Sequence, residues 1–315
     1  SAASNMPGVI LSQLEIHTKA SAQWAFTMKL LPAIGFSLDT GRQDRSVHPF
    51  SSGIHATDVR LTTRIFEDTP LPAIFGTIHE AGHGMYEQGF LASDSRTPLA
   101  QAPGMGIHES QSRLWENPIG RSRPFWSHFW PLLQSHFGPQ LRDVSVDEFV
   151  RAVCRVQRTF IRVEADELTY NLHIALRYQV ELALIRGSIE ARHAEEMWNA
   201  KTLELLGLKV ESPLDGVLQD IHWSGGDLGY FPTYSLGNLY AATLFRSLRQ
   251  ALPNLDEAMA RGDFAGILTW LRQRVHQVGS RLDAEDIVRG ATGRGLNDED
   301  FMVLMTERYS QLYSL

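Results

Sequence analysis

Apolar positions along this chain repeat with two different periods, and the switch between them divides it into parts. From about Leu11 to Leu31 apolar residues recur every three or four positions, the spacing of a helix with one buried face. The stretch from Gly35 to Ser52 is rich in turn formers. In Asp58-Val-Arg-Leu-Thr-Thr-Arg-Ile the period drops to two: Val59, Leu61 and Ile65 alternate with Arg60, Thr62 and Arg64, the pattern of a half-buried strand. His48 to Ser52 are placed to pair with it as a hairpin.

Beyond Pro70 almost every segment reads as helix. One helix carries Ile74, Ile78, Ala81 and Met85 on one stripe, and a second is expected around His108 to Trp115, before Pro118. Ser145 and Glu148 form a capping box opening a long run from Val146 to about Arg186, closed by Gly187. Ile189 to Leu206 follows, closed by Gly207, and Ser212-Pro213 opens a short helix because proline suits the first helical position. A glycine-rich loop from Ser224 to Pro232 leads to a helix near Leu236 to Leu248. Three more are expected at Phe264 to Val278, Ala284 to Arg289 and Asp298 to Tyr313, with Asp263, Asp283 and Asn297 as N-caps. With no internal repeat and no low-complexity linker, residues 1–315 are read as one mainly helical domain with a small β-sheet. Residues 1–5 are read as an expression remnant and 6–34 as a short N-terminal helical segment.

An apolar content of 43% and a charged content of 21% suit a globular protein with a sizeable core. Twenty-nine basic residues against 36 acidic ones leave a net charge of −7 and no basic run, which argues against a nucleic-acid binder. No uninterrupted apolar stretch approaches the roughly 18 residues of a membrane span, and no charged-then-apolar leader is visible. The single cysteine, Cys154, cannot form an intrachain disulfide, so a reducing, cytoplasmic setting is expected.

The chemistry concentrates in Phe75 to Gly89, which contains His79-Glu80-Ala-Gly-His83. Two histidines four apart on a helix lie one turn above each other, so both imidazoles reach one cation. Glu80 sits at the edge of such a site, where it can hold a water and take its proton. The same spacing also fits an amphipathic surface helix, but the apolar stripe points to burial. Gly82 and Gly84 each weaken the helix by about 1 kcal/mol relative to alanine, which suggests close approach of another backbone or a substrate. A catalytic zinc needs a third protein ligand. Glu109, which follows His83 after 25 intervening residues and lies on the second helix, is the leading candidate. His108 is the rival, with a positioning or substrate role if Glu109 faces the metal.

Two further groups stand out. Arg162 and Asp166, four apart in the long run, share a helix face: either an ordinary surface pair, or a guanidinium held by Asp166 and aimed at a substrate carboxylate. The segment Gly216 to Tyr234 gathers Gln219, Asp220, His222, Tyr230 and Tyr234 among glycines. His222 or either tyrosine is suited to stabilise an oxyanion, although turn formation and core packing also explain this composition.

Taken in order, the motifs Asp58-x-Arg60-x-Thr62, His79-Glu80-x-x-His83, His108-Glu109-Ser110, Ile161-Arg162-x-x-Ala165-Asp166 and Gly216-x-x-Gln219-Asp220-x-His222-Trp223 resemble those of the thermostable carboxypeptidase family of zinc peptidases, typified by carboxypeptidase Taq. The resemblance runs from about Gly35 to the C-terminus. It implies a mainly α, neurolysin-like zinc-peptidase fold with the sheet beside the active-site helix, one zinc ion that cobalt can replace, and release of C-terminal residues from peptides with broad specificity. It implies His79, His83 and Glu109 as ligands, Glu80 as general base, and Arg162 with the Gln219 to His222 segment at the substrate's end. A peptide with a free C-terminus is then expected to lie extended beside the Asp58 to Arg60 strand. Members are commonly homodimers. They also carry a long helical region ahead of the segment matching Gly35, where some thirty residues stand here, so a more open groove and oligopeptidase or endopeptidase action is the alternative. A non-catalytic peptide-binding relative is the third reading, and the intact Glu80 argues against it.

Overall fold

The computed structural model describes residues 18–314, which divide into two compact units: the chain up to Val153 together with Gly237 onward, and Cys154–Leu236 between. Part of the expected N-terminal helical segment, and residues 1–5, lie outside the described residues. What is described of that segment is a helix, α1 (Ala20–Ile34), which buries Phe26, Leu30, Leu31 and Ile34 completely.

In the first unit a three-stranded sheet has the order β1 (Gly41–Arg45), β3 (Asp58–Thr63), β2 (Ser51–His55). The alternating segment is β3, with Val59 and Leu61 fully buried. The hairpin forms with a partner slightly later than expected: Ser51 lies opposite Leu61 and Ser52 opposite Arg60. β1, inside the stretch expected to be turns, pairs in parallel with the other side of β3. The sequence Gly-Arg-Gln-Asp-Arg has no apolar alternation to announce it; Gln43 is held instead by Thr27 and Thr77 side chains at 3.0 and 2.9 Å. β3 is therefore the middle strand, and a peptide cannot add beside Arg60, because both flanks are taken.

The helix carrying the paired histidines is α2 (Leu71–Glu87), whose stripe of Ile74, Ile78, Ala81 and Met85 is fully buried and whose start is tied to the sheet by Thr63 Oγ1 donating to the Ala73 carbonyl. The second expected helix is α3 (Met105–Leu114), and it runs on through one π-helical turn at Trp115–Ile119. Then come α4 (Arg123–Phe137) and α5 (Val146–Val153), the latter opened by a reciprocal box in which Glu148 accepts from the Ser145 amide and the Ser145 hydroxyl accepts from the Glu148 amide. The aromatic core of this unit joins Trp126, Phe125, Phe129, Phe149 and Phe264, all at most 2% exposed.

The long run from Val146 to Arg186 is not one helix. It stops at Val153, and helix α6 begins only at Tyr170 and ends at Ile185. Asp166 explains the break: its carboxylate accepts from the amides of Gln157, Leu168 and Thr169 and from the Thr169 hydroxyl, local bonds that compete with the helical ladder. α7 (Ala194–Leu206) follows, and with α6 it buries Leu176, Val180 and Trp198. No helix starts at Ser212-Pro213; that stretch is a series of turns. α8 is a single turn, His222–Gly225, and α9 (Pro232–Ala251) starts four residues earlier than expected. The C-terminal part adds α10 (Leu255–Ala260), α11 (Ala265–Arg274), α12 (Ala284–Thr292) and α13 (Glu299–Tyr313). Asp283 caps α12 through the Asp286 amide, and Asn297 accepts from the Asp300 amide at the head of α13. No helix among the described residues is long and apolar enough to cross a membrane.

Candidate metal centre

α2 and α3 meet where a side chain would not fit. A β-carbon on Gly82 would lie 2.6 Å from the Gln111 carbonyl oxygen and 2.6 Å from Ser112 Cα, so the two backbones touch at this point. One on Gly84 would strike the Phe36 ring at 2.7 Å. The weakened helix propensity of both positions thus answers to close packing. On the other side of α3, a β-carbon on Gly237 would lie 2.5 Å from Glu109 Cγ. Glu109 is held between these two glycine contacts.

The result is a cluster. His79 Nε2 lies 3.8 Å and His83 Nε2 3.3 Å from Glu109 Oε2, and one ligating atom of each residue lies within 4.8 Å of the others. Among the described residues it is the one group of histidine, cysteine, aspartate and glutamate side chains so arranged. A tetrahedral ion with bonds of about 2.1 Å separates its ligands by about 3.4 Å, so two nitrogens and one oxygen at these spacings fit a divalent cation.

Both rings are fixed from behind. His79 Nδ1 is 2.8 Å from Glu116 Oε2, and His83 Nδ1 is 2.6 Å from His108 Nδ1, whose Nε2 lies 2.7 Å from Glu87 Oε1. His108 therefore lies outside the cluster and stands behind His83. The other Glu109 oxygen accepts from Arg113 Nε at 2.7 Å, and Ser112 Oγ donates to Oε2 at 3.2 Å. Arg113 and Arg121 also reach Glu116, at 3.4 and 3.2 Å. Glu87, Arg113, Glu116 and Arg121 are not among the site residues the sequence suggests. Their signal was there in spacing: Glu87 is one turn beyond His83, and Glu116 two turns beyond Glu109.

Burial and neighbours set the protonation. Burial pulls His79 down, but Glu109, Glu116 and Glu80 outweigh it and raise the imidazole to about 9. Burial, with His108 and His79 adding to it, takes His83 down to about 4. Burial opposes ionisation of Glu109, yet Arg113, His79 and His83 hold it well below the usual carboxylate range. Glu80, only 6% exposed, goes the other way: burial, reinforced by Glu109 and Glu116, raises it to about 7. A carboxyl poised there accepts and returns a proton near neutral pH.

The remaining sequence candidates fall into two places. Asp58 and Arg60 pair with each other on the exposed face of β3, Arg60 Nε and Nη2 donating to the two carboxylate oxygens at 2.9 and 2.8 Å. Arg162, Gln219, Asp220, His222, Tyr230 and Tyr234 assemble within the second unit. Arg162 is not held by Asp166: its Nε and Nη2 donate to Asp220 Oδ1 at 3.0 and 2.9 Å, and its Nη1 to Tyr170 Oη at 2.9 Å. Arg177, fully buried and not anticipated, donates to Asp220 Oδ2 and Gln219 Oε1 at 2.6 and 2.7 Å. Burial works against Asp220, but Arg177 and Arg162 keep it ionised below its usual range. Two guanidinium groups thus share one carboxylate. His222 Nε2 is 3.2 Å from Tyr234 Oη, and the rings of His222 and Tyr230 lie 5.5 Å apart.

Known proteins share this chain's sequence and fold. "Thermostable carboxypeptidase 1" of Thermus thermophilus is 46% identical over 292 residues, covering 93% of this chain and 57% of that protein. "Carboxypeptidase 1" of Bacillus subtilis is 43% identical over 93% of this chain and 58% of that protein, so the chain spans a little over half the length of these relatives. The crystal structure of an M32 carboxypeptidase from Deinococcus radiodurans R1 superposes with a TM-score of 0.94 at 38% identity, covering 96% of this chain and 61% of that one. Trypanosoma cruzi metallocarboxypeptidase 1 gives 0.89 at 38% identity, over 93% of this chain and 61% of that one. With the carboxypeptidase Taq (M32) metallopeptidase family model also matching residues 4–309, the chain belongs to that family.

Proposed function

We propose that the chain is a zinc-dependent metallocarboxypeptidase that removes C-terminal residues from peptides with broad specificity, with cobalt able to replace zinc. One observation carries the reading: His79 and His83 turn their Nε2 atoms toward Glu109 Oε2, with Glu80 buried beside them. His79, His83 and Glu109 would hold the ion. Bound there, it supplies Lewis acidity for an amide carbonyl and acidifies a water. Glu80 takes the proton of the attacking water and delivers it to the leaving amine. Glu116 and His108 keep the two imidazoles aimed, and Arg113 orients Glu109.

Within the second unit, Arg162 is proposed to receive the terminal carboxylate. What supports this is charge: among the described residues Arg162 and Arg177 share Asp220 as their bonded carboxylate, leaving an excess positive charge that one substrate carboxylate balances. Gln219 and Asp220 orient it, and His222, Tyr230 and Tyr234 are the proposed donors to the carbonyl oxygen as it gains charge. Asp58 and Arg60 keep a proposed role in substrate binding as a pair, with the extended peptide adding to an outer strand of the sheet, β1 or β2. Homodimer assembly rests on the family resemblance, and a cytoplasmic location on Cys154 being the single cysteine of the sequence.

One observation favours an oligopeptidase instead: each of the three guanidinium nitrogens of Arg162 already donates inside its own unit. Product analysis by mass spectrometry on matched peptides with free and amidated C-termini decides between them. Sequential loss of single residues from free ends only supports the carboxypeptidase; internal cleavage of amidated peptides at equal rate overturns it.

A further inference from the structure

The two imidazoles of the metal centre are backed in unlike ways. His79 leans on a carboxylate, His83 on another imidazole. Two Nδ1 atoms 2.6 Å apart share one hydrogen, so one ring must donate and the other accept. If His108 donates, His83 carries its hydrogen on Nε2, facing Glu109, and cannot ligate. If His83 donates, its Nε2 lone pair is free for the metal and His108 carries its hydrogen on Nε2. The choice is made at the far end. His108 Nε2 lies 2.7 Å from Glu87 Oε1, an acceptor that draws the single hydrogen of a neutral His108 ring to that nitrogen and leaves Nδ1 to accept.

Glu87 reaches that position because of a glycine on the sheet. A β-carbon on Gly53, an exposed residue of β2, would lie 2.4 Å from Glu87 Oε2, 2.6 Å from its Cδ and 2.8 Å from its Cγ. All three atoms belong to the Glu87 side chain, so any larger residue at 53 displaces the carboxylate rather than the backbone.

We infer that His108, Glu87 and the bare backbone of Gly53 form one device that locks His83 in its metal-binding tautomer, making an exposed strand glycine a positioning residue for the ion. The inference rests on the reading of His79, His83 and Glu109 as a metal centre.

The test is the zinc dissociation constant of the full chain, stripped of metal and titrated in competition with a chromogenic chelator, with circular dichroism and melting of the zinc-free protein as fold controls. His108→Phe, which keeps a ring beside Tyr86, is expected to weaken zinc binding about 10- to 100-fold. Glu87→Ala should weaken it in the same range, while Glu87→Gln, whose amide oxygen still accepts, stays near wild type. Gly53→Ala should weaken it measurably alone and add nothing in a Glu87→Ala background. Wild-type affinity in His108→Phe or in Gly53→Ala, or full additivity of Gly53→Ala with Glu87→Ala, overturns the inference. If His108→Phe fails to fold, the Glu87 and Gly53 variants alone decide. A wild-type chain that binds no zinc would sink the metal-centre reading itself, which is a different result from variants that bind as well as wild type.

Discussion

Gly82→Ala tests whether the contact of two backbones sets the metal geometry. The added methyl would lie 2.6 Å from the Gln111 carbonyl oxygen and 2.6 Å from Ser112 Cα. Ordinary contact lies near 3.5 Å, so α2 and α3 must part by about 1 Å. The obstacle is backbone, and no side chain can swing away. Alanine gains about 1 kcal/mol of helix propensity over glycine. Overpacking loses about 1–3 kcal/mol, and a backbone clash belongs at the upper end. The net is a destabilisation of about 1–2 kcal/mol, or a few degrees in the melt of the zinc-free protein at roughly 2–4 °C per kcal/mol. Glu109 rides on the same helix as Ser112 and moves with it. Metal sites tolerate displacements of about 0.2 Å, so zinc affinity should fall at least tenfold, about 1.4 kcal/mol. The assays are differential scanning calorimetry without metal and chelator competition with it. A Gly82→Ala protein that melts at or above wild type and binds zinc normally would refute the argument.

Glu80→Gln should retain one zinc per chain and lose about 10²- to 10⁴-fold in kcat; near-normal turnover with zinc in place contradicts its role as general base. For Arg162→Ala the expected loss is confined to peptides with free C-termini, and equal loss on amidated peptides removes it from the carboxylate site. Gly237→Ala, whose methyl would meet Glu109 Cγ at 2.5 Å, should weaken zinc binding while leaving the α2–α3 contact intact, as measured by the same chelator competition. His276 is fully buried against Gln111, and burial, with Arg272 and His108 adding to it, lowers its pKa from 6.5 to about 3. Between those values the unfolded chain binds the extra proton, so the zinc-free protein should lose stability as pH falls, by at most about 1.4 kcal/mol per unit from this group. In denaturant titrations across that range, His276→Gln should flatten the slope by that amount, and an unchanged slope would exclude His276 as its source.

The cluster of His79, His83 and Glu109 is legible in part because its logic is periodic: His79, His83 and the stripe of Ile74, Ile78, Ala81 and Met85 all follow one helix. The residues behind the ligands were harder. Glu87 and Glu116 repeat at helical spacing, but so do many surface carboxylates, and only the packing of α3 on α2 distinguishes them. The break at Asp166 was missed because helical periodicity runs through it, while the carboxylate's four local bonds act against the ladder. Arg162 therefore found a partner 58 residues away, in Asp220, that spacing could not reveal. β1 went unread for the opposite reason: its polar residues carry no period, and its strand geometry comes from pairing with β3.

The order of the strands also makes the first strand depend on one that follows it in the chain. β2 and β3 are joined by only Ala56 and Thr57, so their hairpin closes a very short loop and can zip within microseconds. β1 precedes both in the chain yet pairs only with the far flank of β3, so it has no strand to dock on until β3 has been made. The ribbon that emerges first from synthesis thus waits for a partner made after it, and a nascent chain halted before Asp58 would hold Gly41–Arg45 without its template.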